Sequence, residues 1–125
     1  RSSTNTTKQI HRCTIDYIHF DCVQQGMAQV MTNGTGRWYN VPELQLCGKT
    51  GTVQNPHGKD HAIFIGFAPQ DNPQIAIAVV VENAGFGSTW ACPIASLLIE
   101  QYITKQIARP ELYNRMSNSY PKEDE

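Results

Sequence analysis

The sequence predicts an α+β fold in which three antiparallel strands are flanked by an N-terminal and a C-terminal helix. Apolar residues recur at helical spacing in residues 23–31 and again in residues 91–103. Between these segments lie three short apolar runs, separated by turn sequences of hairpin length. Such short connections indicate antiparallel neighbours, because a parallel pair of strands needs a long crossover.

At 125 residues the chain is at most one domain with one modest core. Its hydrophobic share of 40% and charged share of 17% are ordinary for a globular protein. The net charge of −1 gives no indication of nucleic acid or an anionic membrane as a partner. The longest apolar run, Ile75–Val81, is far too short to span a bilayer, and the polar residues 1–4 are not followed by the apolar segment of a signal peptide.

The first helix is predicted to run from Asp21, which suits an N-cap, to the turn Asn33–Gly36. We expect residues 1–9 to be loose and Ile10–Ile18 to form a short strand or extended arm. Gly26 would allow the helix to pack closely against a neighbour. The apolar side chains at helical spacing belong to Val23, Met27, Val30 and Met31.

Three strands are predicted after this helix. Residues 44–53 alternate in polarity well enough for the first strand, residues 62–67 form the second, and residues 74–82 form the third. Turn sequences at residues 54–60 and 69–73 connect them. The third strand is apolar almost throughout, so we expect it to be central and covered on both faces.

A Gly-rich loop leads to the C-terminal helix, which is predicted over Thr89–Ile107. Pro93 is tolerated in its first turn, and Arg109–Pro110 ends it. Its apolar stripe consists of Ala91, Ile94, Ala95, Leu98, Tyr102 and Ile103. The chain is thus divided into residues 1–110, the folded portion, and residues 111–125, a polar and mobile C-terminal tail.

The four cysteines contain no Cys-x-x-Cys pair, which argues against zinc ribbons and thioredoxin-like redox sites. Cys47 and Cys92 lie among apolar residues, and we expect them to be buried small hydrophobes. His57, Asp60 and His61 are candidate metal ligands, but they fall in a turn sequence, and we expect no metal there. Nothing in the sequence indicates a cofactor.

The segment Gly48–Thr52, on the first predicted strand, carries the candidate site. A strand at a sheet edge can pair with an extended peptide, and Gly51 lets the peptide backbone approach because it has no side chain. The N–H of Thr52 can point at a developing oxyanion, and Lys49 supplies positive charge. Thr50 and Thr52 lie on one face, where their hydroxyls can bind a carboxylate. The pattern predicts Lys49 and Thr52 as catalytic residues and Thr50, Gly51 and Thr52 as substrate-binding residues.

The same segment has a second interpretation, because Gly48–Thr50 resembles the end of a phosphate-binding P-loop. The earlier glycine that a P-loop requires is missing, since position 43 is Glu43. A strand that continues through the motif also contradicts a loop that opens a helix.

The Lys-Thr-Gly segment is identified as part of a known family by the residues around it. Residues 48–55 resemble the third motif of class B penicillin-binding proteins, and residues 63–69 and 75–83 resemble the two strands that follow it. Residues 20–35 resemble the helix that precedes the motif. The resemblance covers roughly residues 10–108, and the turn between the first two strands is most similar to the elongation-specific subgroup.

The resemblance implies that residues 1–110 are the C-terminal portion of a transpeptidase domain with the fold shared by penicillin-binding proteins and serine β-lactamases. It implies a peptidoglycan D,D-transpeptidase on the periplasmic side of the inner membrane, anchored by an upstream helix. Implied partners are the peptidoglycan stem peptide, β-lactam antibiotics, the remainder of the same domain, and a glycosyltransferase of the elongation machinery. Lys49 would tune the site electrostatically, Thr50 and Thr52 would bind the carboxylate, and Thr52 N–H would complete the oxyanion hole.

The nucleophile motif of that family does not occur where the family places it, before Lys-Thr-Gly. Ser119–Lys122 spells Ser-x-x-Lys but follows the motif and contains a proline, and Ser3–Asn5 spells Ser-x-Asn but lies too close to Lys49. We interpret both as chance matches, and we expect this chain alone to be inactive. The alternatives are a non-catalytic peptide- or partner-binding module that uses an exposed strand edge, and a fragment of a serine β-lactamase.

Overall fold

The computed structural model describes residues 11–121 as an α+β unit of three strands and three helices. Several predictions fall outside the described residues. They concern the expected loose segment (residues 1–9), Ile10, the Ser-x-Asn match at Ser3–Asn5, and Lys122 of the Ser-x-x-Lys match. In chain order the elements are α1 (Tyr17–Thr32), β1 (Cys47–Val53), β2 (His61–Ala68), β3 (Ile75–Val81), α2 (Ala91–Thr104) and α3 (Pro110–Asn118). Two short 3-10 turns, Arg37–Tyr39 and Pro42–Leu44, join α1 to β1.

The sheet has the order β1-β2-β3, and both pairs are antiparallel, as predicted. The prediction that the third strand is central was wrong: β2 is central, and β3 is an edge strand in the described part of the chain. Alternate residues of β3 are exposed, including Ala76, Ala78 and Val80. An apolar run alone does not reveal whether a strand is covered on one face or two.

The two faces of the sheet differ sharply. On the helix-covered face, Phe64 of β2 packs in one core cluster with Met31 of α1 and Ile99 of α2. The residues that alternate with Phe64 form the open face, where Ile65 is 48% and Val80 60% exposed. Both helices therefore cover the same face, and much of the opposite face is exposed in the described residues, although Cys47 at one end of it is buried.

Helix α1 begins five residues earlier than predicted, counted from N-cap to N-cap. Its N-cap is Asp16, whose carboxylate accepts the N–H of Ile18 at 3.2 Å. Asp21 lies inside the helix and accepts a hydrogen bond from Gln25. No strand forms in the described part of the segment Ile10–Ile18, because residues 11–16 are irregular and residues 17 and 18 are helical. Gly26 has no neighbouring atom within 4 Å, so it is not a close-packing position.

Only the first strand departs from its predicted bounds by more than one residue. The first strand begins at Cys47 rather than at Leu44, because Pro42–Leu44 form a 3-10 turn and Gln45 adopts a left-handed conformation with φ of 50°. The second and third strands match their predicted positions to within one residue at each end.

Helix α2 ends at Thr104, where Lys105 adopts a left-handed conformation, and not at Arg109–Pro110. Pro110 instead occupies the first turn of α3, which lies mostly inside the predicted polar tail. A boundary at residue 110 stays a prediction. The predicted stripe was partly wrong, since Leu98 and Tyr102 are half-exposed. The buried residues of α2 are Ala91, Cys92, Pro93, Ala95, Ser96, Leu97, Ile99 and Glu100.

Glu100 is a charged residue that is only 3% exposed. Its carboxylate accepts hydrogen bonds from Nε of Arg109 at 3.2 Å, and Nη2 of Arg109 lies at the same distance. Arg109 also donates to Ser96 Oγ at 3.0 Å, and Ser96 Oγ donates to the carbonyl of Tyr39 at 2.6 Å. This buried polar cluster joins α2 to the segment before α3 and to the first 3-10 turn.

Candidate active site

The outer edge of β1 carries the Lys-Thr-Gly segment, and no strand pairs with that edge among residues 11–121. The direction of its backbone groups follows from Gly87, in the loop before α2. A Cβ atom added to Gly87 would overlap the carbonyl oxygens of both Gly51 and its register partner Ile63. A single atom can lie that close to both oxygens only if both carbonyl groups point into the space between β1 and β2. Gly51 and Ile63 therefore form a hydrogen-bonded pair of the antiparallel ladder.

It follows that Thr50 and Thr52, the neighbours of Gly51, direct their N–H and C=O groups to the free edge. A Cβ atom added to Gly66 would likewise overlap the carbonyl oxygen of Cys47. Because Cys47 lies an even number of residues before Gly51, its carbonyl group should also point towards β2, and this contact supports the assignment. The N–H of Thr52 is thus available at the free edge, which is what the oxyanion hypothesis requires of it.

Lys49 lies on the open face, opposite Ile65 in the register. Its side chain is exposed, and its Nζ donates to the carbonyl oxygen of Thr50 at 2.7 Å. The cation therefore sits beside the free edge, where it is still exposed to solvent.

Thr50 and Thr52 occupy the helix-covered face, where Thr50 is the register partner of Phe64. Thr50 is half-buried, and Thr52 is exposed at the less covered end of the strand. The hydroxyl of Thr50 shares a hydrogen bond of 2.8 Å with the hydroxyl of Thr35, in the turn after α1. Lys49 and the two threonines thus lie on opposite faces, and only the free edge brings them together.

The ring of Phe64 fixes the strand beneath this segment. It fills the space that side chains would occupy at Gly48 and at its register partner Gly66, because a Cβ at either position would overlap the ring. Gly48 therefore serves packing, whereas Gly51 has ordinary clearance on the open face.

Sequence reasoning missed two residues at this site. Thr35 was interpreted only as part of a helix-ending turn, and Gly87 only as part of a Gly-rich loop. The sequence did contain a signal for Thr35: it lies between Gly34 and Gly36, so its side chain is the only one that these three residues of the turn present. The contact of Gly87 with β1 depends on tertiary structure and left no local signal.

The turn between β1 and β2 is tied to the loop after β3. The side chain of Asn55 donates to Asn83 Oδ1 at 2.6 Å, and its N–H donates to Asp60 at 3.1 Å. The N–H of Asn83 donates to Nδ1 of His61 at 3.0 Å. In residues 11–121, His57, Asp60 and His61 form no group of three ligands that could hold a metal ion.

The cysteines do not offer a nucleophile at the edge. Cys47 and Cys92 are fully buried, which confirms the prediction for both. Burial raises the pKa of the Cys47 thiol, and it raises that of Cys92 to about 12 although Arg109 acts in the opposite direction. Both thiols are therefore protonated at neutral pH.

The concavities of about 740 and 510 Å³ both lie against α3, and no residue of β1 lines either of them. Ser119, the serine of the misplaced Ser-x-x-Lys spelling, lines the larger cavity with Tyr39 and Trp90. The candidate site is thus an open strand edge. No helix in the described part of the chain is both long and apolar enough to cross a membrane.

The chain is similar to known proteins in both sequence and fold. The model of the penicillin binding protein transpeptidase domain matches residues 2–100. The D,D-transpeptidase MrdA of Haemophilus influenzae is 34% identical over 76% of this chain and 17% of its own length. MrdA of Acinetobacter baumannii is 35% identical over 70% of this chain and 15% of its own length. The chain spans about a sixth of the length of these relatives.

Two solved structures are similar in both sequence and fold. PBP2 of Pseudomonas aeruginosa, in complex with WCK 5153, superimposes with a TM-score of 0.64 and 33% identity. That match covers 86% of this chain and 23% of the other. Penicillin-binding protein A of Mycobacterium tuberculosis, a ceftriaxone acyl-enzyme, gives a TM-score of 0.61 and 29% identity over 66% of this chain and 20% of the other.

Proposed function

The chain belongs to the penicillin binding protein transpeptidase domain family, and on this premise we propose that it supplies the Lys-Thr-Gly strand of a peptidoglycan D,D-transpeptidase. That enzyme cross-links cell-wall peptides by acyl transfer through a serine. The observation that carries the proposal is the free edge of β1, which presents the backbone groups of Thr50 and Thr52 beside the ammonium group of Lys49.

Each part of the edge has a chemical task in this proposal. The stem peptide adds to β1 as an extended strand, with Gly51 allowing the backbones to approach. The N–H of Thr52 stabilises the oxyanion of the tetrahedral intermediate, and one such donor is typically worth about 3–4 kcal/mol. The hydroxyls of Thr50 and Thr52 bind the terminal carboxylate, and the charge of Lys49 favours negative charge at the edge.

The nucleophilic serine and its lysine belong to the remainder of the domain in this proposal. The open face is the surface that would receive it, since apolar side chains such as Ile65 and Val80 are about half-exposed there and Lys49 lies on the same face. We place the site on the periplasmic side of the inner membrane, with an upstream helix as anchor. Assignment to the elongation class, with a glycosyltransferase partner, follows the similarity to MrdA and PBP2.

β-Lactams are proposed ligands of the same edge. One solved relative is a ceftriaxone acyl-enzyme, and another is a complex with WCK 5153. A non-catalytic module that binds peptides through the free edge of β1 remains the second candidate, because the same edge suits strand addition.

Intact mass spectrometry with a fluorescent penicillin separates the two candidates. We expect the longer protein that contains this chain to gain one penicillin on a serine upstream of residue 1, and the isolated chain to gain none. A stoichiometric adduct on a serine of the isolated chain would contradict the assignment of the nucleophile. Absence of an adduct on the longer protein, with its fold intact, would favour the binding module.

A further inference from the structure

Thr35 is the one residue outside β1 whose side chain hydrogen-bonds to a proposed substrate-binding hydroxyl in the described part of the chain. Its Oγ1 lies 2.8 Å from Oγ1 of Thr50, the usual length of a hydrogen bond between hydroxyls. Thr35 is exposed and Thr50 is half-buried, so the hydrogen bond lies at the surface.

The turn that carries Thr35 is held firmly on the end of α1. The N–H groups of Asn33 and Gly34 both donate to the carbonyl of Gln29, at 2.9 and 3.0 Å. The N–H of Gly36 donates to the carbonyl of Val30 at 3.0 Å.

Close contacts flank Thr35 on both sides. A Cβ at Gly34 would lie 2.8 Å from Cα of Val30, and one at Gly36 would lie 2.5 Å from Sδ of Met31, which is buried. Of the three positions 34–36, only position 35 has room for a side chain. The side chain of Thr35 points towards β1, where it contacts Thr50.

The number of protons on the two hydroxyls determines which threonine donates the hydrogen bond between them when a carboxylate is bound. Each threonine hydroxyl has one proton to donate, and a carboxylate can only accept. If Thr50 donates its proton to a substrate carboxylate, the hydrogen bond between the two threonines must be donated by Thr35. A hydroxyl that accepts one hydrogen bond also donates more strongly.

We infer that Thr35 is a positioning residue for the carboxylate subsite: it donates to Oγ1 of Thr50 and thereby directs the Thr50 proton towards the ligand. This inference rests on the proposed function, because it takes Thr50 as a carboxylate ligand. Thr35 acts through Thr50 and makes no contact of its own with the substrate.

The test uses Thr35→Val, which keeps the shape and removes the hydroxyl, with Thr35→Ser as its control. Acylation of the longer protein is followed with benzylpenicillin and with its methyl ester, which has no free carboxylate. We expect Thr35→Val to lower acylation efficiency with benzylpenicillin about tenfold, mainly through weaker binding, and to leave the ester within twofold. Thr35→Ser should stay within twofold for both ligands, with all melting temperatures unchanged.

A double-mutant cycle with Thr50→Val separates positioning from direct contact. We expect the Thr35→Val, Thr50→Val double variant to acylate no more slowly than Thr50→Val alone. Additive losses, or equal losses with benzylpenicillin and the ester, would overturn the positioning role. A wild-type protein that no penicillin acylates would overturn the proposed function as well, whereas an acylated wild type with an indifferent Thr35→Val variant would overturn this inference alone.

Discussion

The two faces of the same sheet are built from alternating residues of the same strands, yet they serve different ends. On the helix-covered face, Phe64 is 2% exposed and lies in the core. One residue further along the strand, Ile65 is 48% exposed on the open face, opposite Lys49. The period of two along a strand thus separates the buried Phe64, which holds the fold, from exposed residues such as Ile65 and Lys49, which another part of the protein can reach.

The largest effect is expected on the helix-covered face. Phe64→Ala should lower the free energy of unfolding by about 3–5 kcal/mol, because the ring fills the space beside Gly48 and Gly66. Ile65→Ala should cost less than about 1 kcal/mol in the isolated chain, since half of that side chain is already in water. Urea denaturation of both variants measures the difference. Equal losses of unfolding free energy for the two variants in the isolated chain would contradict the proposed difference between the faces. A larger loss for Ile65→Ala in the longer protein than in the isolated chain would show that the open face is covered there.

The second prediction concerns Thr52, where the backbone is proposed to act at the free edge. The acylation rate of the longer protein should fall in the order wild type, Thr52→Ser, Thr52→Ala, Thr52→Pro. Alanine loses a hydrogen bond to a charged group, worth about 1.5–3 kcal/mol, and proline also loses the oxyanion donor, worth about 3–4 kcal/mol.

Stopped-flow acylation with a fluorescent penicillin measures this order. Because the N–H of Thr52 points away from β2, proline should remove no bond of the sheet, and melting should change little. A proline variant that acylates as fast as the alanine variant would show that the oxyanion donor lies elsewhere.

Lys49→Ala should slow acylation of the longer protein about 100-fold and leave thermal melting unchanged, because the side chain is exposed on the open face. Lys105→Gln is the matched control: it removes an exposed cation at the end of α2, far along the chain from β1. Acylation within twofold of wild type for Lys49→Ala would remove this residue from the site.

The smallest effect is expected from pH. Since burial raises the pKa of Cys92 to about 12, the folded thiol stays protonated while the unfolded thiol ionises from about pH 8.5. The folded state therefore holds the proton more tightly, and stability is lost as the pH rises from about 9 towards 12. Cys92→Ala should flatten that part of a stability–pH curve, measured by urea denaturation. An unchanged slope would show that Cys92 does not contribute to it.

The sequence was informative where chemistry and local pattern coincide. The Lys-Thr-Gly segment, the antiparallel hairpins and the burial of Cys47 and Cys92 could all be predicted, because each depends on a short stretch of chain. The order of the strands could not, since the apolar residues of β3 do not tell which elements cover them. Its exposed Ala76 and Val80 fit a face that another part of the protein covers.

The ends of the helices show a different limit. Asp16 and Asp21 are both suitable N-caps, and the helix begins after Asp16, whose carboxylate accepts the N–H of Ile18. Lys105 ends α2 in a left-handed conformation that usually belongs to glycine, so its sequence gave no warning. The link between Thr35 and Thr50 joins residues 15 positions apart and exists only once α1 lies along β1.

The buried Glu100 has a consequence for trimming or grafting this domain. The family match ends at residue 100, yet the cation that neutralises this carboxylate is Arg109, nine residues beyond it. A chimera or truncation that stops between them would strand a buried carboxylate without its partner, at a cost of about 3–5 kcal/mol. An interchangeable unit of the fold therefore has to extend at least through Arg109, past the last residue that the family model matches.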